Sequence, residues 1–138
     1  MKDEEDRIGP EDLRTRTKRY ALDVIAFYVV LPGTPQAQVM GRQMLRSGTS
    51  VGAHYREACR ARSDAEFISK IEGGLQELDE TAYWLELIVE SRTRDLPDAH
   101  RLLAETDELI RIFITVVKKR SAADSSSFIL HPYSSSES

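Results

Sequence analysis

Four arginines, Arg42, Arg46, Arg56 and Arg60, recur along one stretch of this chain at spacings that fit one face of a helix. Advancing about 100° per residue from Arg42 brings Arg46, Thr49, Ala53, Arg56 and Arg60 round to the same side. Guanidinium groups in such a stripe suit phosphate geometry, so the chemistry this pattern offers is recognition of a nucleic-acid backbone. The competing role is ion pairing with Glu57, Glu66, Glu77 or Glu80. Arg46 is expected to pair in that way, because it lies beside a polar strip of Gln43, Ser47, Ser50, His54 and Glu57.

That strip is the other place to look for chemistry. Ser50, His54 and Glu57 sit about one turn apart and could hydrogen-bond in a row, but one helix does not orient all three around a substrate as a catalytic triad requires. A buried polar network that sets helix register is the expected role. A bundle rich in carboxylates also invites a di-iron site, which needs inward-facing Glu-x-x-His pairs. The residues three before His54, His100 and His131 are Val51, Pro97 and Phe128, so no such pair exists. Neither a glycine-rich phosphate loop nor a paired-cysteine metal motif is present. No catalytic residue, metal site or cofactor is expected. The lone Cys59 cannot form an internal disulfide and is read as a small packed residue rather than a nucleophile.

The elements that must carry these residues are helices. The chain has 138 residues, 41% apolar and 30% charged, which fits one soluble domain with a single core. The net charge of −4 opposes any global attraction to nucleic acid, so a basic face has to be local. No apolar run is long enough to span a bilayer. The acidic beginning, MKDEEDRIGPED, has no signal core, so a cytoplasmic location without membrane contact is expected.

Apolar residues recur at three and four from Thr15 to Leu31 (Tyr20, Val24, Phe27, Tyr28), marking a first amphipathic helix after a frayed tail over 1–13. Pro32-Gly33-Thr34-Pro35 ends it and opens a second helix to about Arg60, with Thr34 as cap and Pro35 in the first turn. Its core face is Met40, Met44, Val51, Tyr55 and Ala58. Gly48 and Gly52 cost helix propensity there, and serve either close approach of another helix or a local kink. Ser63-Asp64-Ala65-Glu66 is a capping box for a third helix. Its seam is two interleaved sevens, Ile68-Leu75-Ala82-Val89 and Ile71-Leu78-Leu85. A flanking row holds Glu66, Lys70, Gly73, Glu77, Thr81 and Trp84, with Tyr83 and Trp84 as interface anchors or Trp84 simply as core. A fourth helix opens at Leu96-Pro97-Asp98 and closes at Lys118-Lys119-Arg120. A disordered Ser-rich tail is expected over 121–138, its Phe128–Leu130 and Pro132-Tyr133 an incidental apolar interruption or a docking peptide. The domain is thus expected over 14–120.

The runs LRSGTSVGAHYREA, SDAEFISKI and QELDETAYWLEL resemble the four-helix proteins first noticed as open reading frames in intervening sequences of bacterial 23S ribosomal RNA genes. The resemblance covers about Leu13 to Lys119. It is carried by Arg46, Ser47, Ser50, Glu57, Ala58, Phe67, Glu77, Glu80, Thr81, Tyr83, Trp84 and Leu85. Two departures stand out: His54, where the family usually has Asn, and Gly73-Gly74, where a helix former is usual. The resemblance implies a small cytoplasmic protein forming a ring-like homopentamer, with no established catalysis. A more distant similarity links the architecture to the accessory proteins of diversity-generating retroelements, which bind nucleic acid and a reverse transcriptase.

Taken together, an all-α, antiparallel up-down-up-down four-helix bundle is expected, assembled as a homo-oligomer. Its function is expected to be non-enzymatic scaffolding that binds RNA or DNA through Arg42, Arg46, Arg56 and Arg60. The alternative is a protein-protein adaptor or assembly module, with a partner such as a reverse transcriptase. Ser47, Ser50, His54, Glu57, Glu77, Glu80 and Trp84 form the oligomer contact or structural polar network in either case.

Overall fold

The computed structural model describes residues 10–91 and 96–128, with side chains over 12–91 and 96–123. Among them are four helices and no strand: α1 Pro10–Val29, α2 Pro35–Cys59, α3 Asp64–Ser91 and α4 Pro97–Phe128. Each packs against its neighbour in sequence, and α1 meets α4 more lightly. No described helix is long and apolar enough to cross a membrane.

The starts follow the expected chemistry. Thr34 caps α2 by accepting from the Ala37 amide at 3.4 Å, with Pro35 at the first position. Ser63 accepts from the Glu66 amide at 3.1 Å. The Glu66 carboxylate reaches back one residue further than a standard capping box, to the Arg62 amide at 2.9 Å.

Two boundaries differ from expectation. α1 begins at Pro10, not after residue 13, and Leu13 belongs to the core rather than to a tail. A proline with its φ preset and no amide to satisfy suits a helix start. α4 continues eight residues past Arg120, to Phe128. Ser121-Ala122-Ala123 contains no Gly or Pro stop, and serine costs only tenths of a kcal/mol in a helix, roughly 0.5 per residue relative to Ala. Ile129 to Tyr133 and the rest of the tail lie outside the described residues, as does the connection over 92–95.

The core gathers the predicted faces: Val24 and Phe27 from α1, Met44, Val51, Tyr55 and Ala58 from α2, Ile71, Leu78 and Leu85 from α3, Leu109 and Phe113 from α4. Small residues on α2 let α1 come close, and α2 runs as one helix through them. A Cβ on Gly48 would stand 2.9 Å and 3.0 Å from the two methyls of Val24, and one on Gly52 would stand 3.2 Å from the Thr17 hydroxyl. Their role is close approach rather than a break.

Through the middle of this core runs a layer of hydroxyls, one from each helix. Thr106 donates to the Leu102 carbonyl at 2.7 Å, so it accepts from the Tyr20 phenol at 2.5 Å. Thr81 donates to the Glu77 carbonyl at 2.8 Å and accepts from Ser47 at 2.7 Å. Ser47 also lies 3.3 Å from the Met44 carbonyl, and the two cross-helix bonds fix the register of α1 against α4 and of α2 against α3.

Candidate nucleic-acid interface

The stripe on α2 divides into two kinds of arginine. Arg42, Arg56 and Arg60 are exposed, and none forms an ion pair with a described residue. Arg46 is held instead: its Nη1 lies 3.3 Å from Glu77 Oε1 and its Nη2 2.5 Å from Glu80 Oε1. It joins α2 to α3 rather than facing outward as a free cation.

The polar strip divides as well. Ser47 is fully buried and belongs to the hydroxyl layer. Ser50 turns back and donates to the Arg46 carbonyl at 2.7 Å, so the row Ser50-His54-Glu57 does not form. Serine mid-helix commonly spends its hydroxyl on the preceding turn. His54 lies between two carboxylates, Nε2 3.5 Å from Glu77 and Nδ1 3.6 Å from Glu57. Glu57 is also 3.7 Å from Lys70. The predicted residues Glu57, Glu77 and Glu80 thus belong to one network linking α2 with α3, joined by Lys70.

His54 on α2 and Gly73 on α3 form one packing event. A Cβ at position 73 would stand 2.9 Å from His54 Nδ1 and 3.0 Å from Cε1, so the ring occupies the space that an alanine there would need. Gly74 makes similar room for Phe113, whose Cε2 would lie 2.8 Å from an added Cβ. Gly73→Ala is therefore expected to destabilise the protein by about 1 kcal/mol with His54 present, and to stabilise it by about 1 kcal/mol in a His54→Ala background, where only helix propensity remains. Urea unfolding of the four proteins of this cycle measures the change of sign.

Trp84 is half-buried against the core, its ring centroid 5.2 Å from that of Tyr83, which is 54% exposed. Cys59 is exposed, not packed as expected, because it closes the last turn of α2 at an open end of the bundle. Two further features are not visible in residue type alone. On α1, Leu22, Ile25 and Val29 are exposed at one-turn spacing. On α3, Glu72, Asp79, Glu86 and Glu90 share the outward face and pair with no described residue.

This architecture and these motifs match a known family. The model of the 23S rRNA-intervening sequence protein family covers residues 12–115. The chain belongs to that family. A crystal structure similar to it is described as a protein with unknown function from the S23 ribosomal protein family of Bacteroides thetaiotaomicron VPI-5482. It is 32% identical, with 79% of this chain and 97% of that one covered and a TM-score of 0.72. No curated protein matches. Within this family member, the motif residues Arg46, Ser47, Glu77, Glu80 and Thr81 all serve the α2–α3 contact, whereas Arg42, Arg56 and Arg60 do not.

Proposed function

We propose that the protein is a non-enzymatic, cytoplasmic scaffold that binds RNA or DNA through Arg42, Arg56 and Arg60. One observation carries this reading. Three arginines share an exposed helix face with no carboxylate partner among the described residues, although the chain is acidic overall. Arg46, placed in this set by its position, is reassigned to the internal network. Unpaired guanidinium groups retain their donors for phosphate oxygens.

The up-down-up-down order of the bundle is part of the same reading. It is supported by contacts whose numbers run in opposite senses, Gly48 with Val24 and Gly52 with Thr17 on one side, Ser47 with Thr81 and His54 with Gly73 on the other. A ring-like homopentamer is implied by the family. The exposed Leu22, Ile25 and Val29 support self-association, since burying such a stripe releases water from apolar surface. Each copy would then repeat the α2 face, and several weak phosphate contacts would add as avidity. The adaptor reading, with a protein partner such as a reverse transcriptase, is supported by the acidic outer face of α3 around Tyr83.

A triple variant, Arg42→Ala/Arg56→Ala/Arg60→Ala, tests the nucleic-acid reading. Fluorescence anisotropy with a structured RNA and a duplex DNA should show binding lost in the triple variant, while light scattering shows the assembly unchanged. Arg46→Ala should keep binding and lose stability by about 1 kcal/mol, the worth of exposed ion pairs. Equal binding by the triple variant and the wild type would contradict the assignment.

A further inference from the structure

We propose that the end of the bundle where α2 finishes and α3 begins, beside Val116–Ala123 of α4, is a pocket for one unstacked nucleobase of bulged or single-stranded RNA or DNA. This rests on the nucleic-acid reading above and states which form of nucleic acid is preferred. An open cavity of about 560 Å³ lies there, with Leu13, Tyr55 and Val116 among its apolar walls and Phe67, Lys119 and Arg120 around its rim. Such a volume accepts a small planar ligand with room to spare.

The chemistry of the rim fits a base with its flanking phosphates. Arg120 lies 3.8 Å above the Phe67 ring centroid and is held by Asp64 at 3.0 Å. A guanidinium held over an aromatic ring at a cavity mouth offers a planar cation against which another planar group can stack. Lys119, part of the lining, and Arg60, next in the chain to the lining residues Cys59 and Ala61, are exposed and pair with no described residue. The nearby carboxylates are already engaged: Asp64 with Arg120, Glu66 with the Arg62 amide, Glu57 with Lys70. Arg56 and Arg60 then connect this mouth to the α2 face, so one strand reaches both. A perfect duplex offers its phosphates but keeps its base faces stacked, and it satisfies only the α2 contacts.

Cys59 lines the cavity, is exposed and is the chain's single cysteine, so its reaction with a chromogenic disulfide reports occupancy of the pocket. The experiment uses the full chain with three labelled RNA hairpins: one carrying a single-nucleotide bulge, one fully paired, and one whose bulged nucleotide is abasic. The bulged hairpin should bind about tenfold tighter than the paired one and slow Cys59 modification by a similar factor, as one stacked base allows. The abasic hairpin should lose both effects. Equal affinity for all three with no protection of Cys59 would overturn the pocket and leave the phosphate reading standing. Absence of binding by any hairpin at low salt would remove both. Protection by a small amphipathic anion such as decanoate, without protection by the bulged hairpin, would assign the cavity to that class instead and also overturn the proposal.

Discussion

Gly48→Val should destabilise the protein by about 3 kcal/mol, and the companion change Val24→Ala should restore much of that loss. Val24 is fully buried, and an added Cβ at position 48 already falls inside contact distance of both its methyls. Valine is stiff at χ1 and cannot swing aside. Overpacking of this kind costs about 1–3 kcal/mol, occasionally more, against which the gain in helix propensity over glycine is only a few tenths. Val24→Ala alone leaves a cavity worth about 2 kcal/mol. The double variant moves the same two methyls from α1 to α2 across the contact, so its cost should fall well below the sum, with a coupling of about 1–3 kcal/mol. Urea midpoints of the wild type, both singles and the double measure this. Additive costs would mean that the two helices are not in contact at this point.

The second large effect is at high pH. Burial pushes the Tyr20 phenol up to about 12 from its ordinary 10.0, partly opposed by the neighbouring hydroxyls of Thr106 and Thr81. The neutral phenol is the protonated form. Above pH 10 the unfolded chain sheds this proton while the folded chain keeps it, so the folded state binds more protons and stability falls as pH rises. Tyr20's contribution is intact below pH 10. It declines by about 1.4 kcal/mol at pH 11 and approaches a loss of about 3 kcal/mol once the folded phenol ionises near pH 12. Tyr20→Phe should lose about 1 kcal/mol at neutral pH, for the hydrogen bond to Thr106, and should show a correspondingly smaller decline between pH 9 and 11. Burial, with a hydrogen bond to Cys59, also raises Tyr55, so a decline remains in that variant. Parallel pH curves for the two proteins would remove Tyr20 from the alkaline transition.

Much of the fold was legible because periodicity reports on burial. The sevens of α3 named Ile71, Leu78 and Leu85, and the α2 pattern named Met44, Val51, Tyr55 and Ala58, all of them buried. The buried hydroxyls Thr17 and Thr106 escaped, because threonine carries no apolar signal and its burial depends on a carbonyl in the preceding turn. Helix ends were the weakest part. Pro10 and the Ser-rich run after Arg120 read as tail by composition, yet neither breaks a helix.

The candidate site was only half legible. Spacing put four arginines on one face, but only the α3 partners Glu77 and Glu80 separate Arg46 from the other three. The strip Ser50-His54-Glu57 has the right spacing for a row of hydrogen bonds. The serine's own helix supplied a nearer acceptor. His54 and Gly73 looked like two separate departures, and only their contact across α2 and α3 joins them. Cys59, at the same open end as Lys119 and Arg120, has no sequence pattern that places it there.

The most direct test of the central claim is the salt dependence of binding by the wild-type protein to one structured RNA. If Arg42, Arg56 and Arg60 each neutralise a phosphate, log K should fall linearly with log salt, and the slope should shrink by about three per protomer when all are replaced by Ala. A slope near zero, or one left unchanged by the triple substitution in an intact assembly, would contradict phosphate recognition by this face.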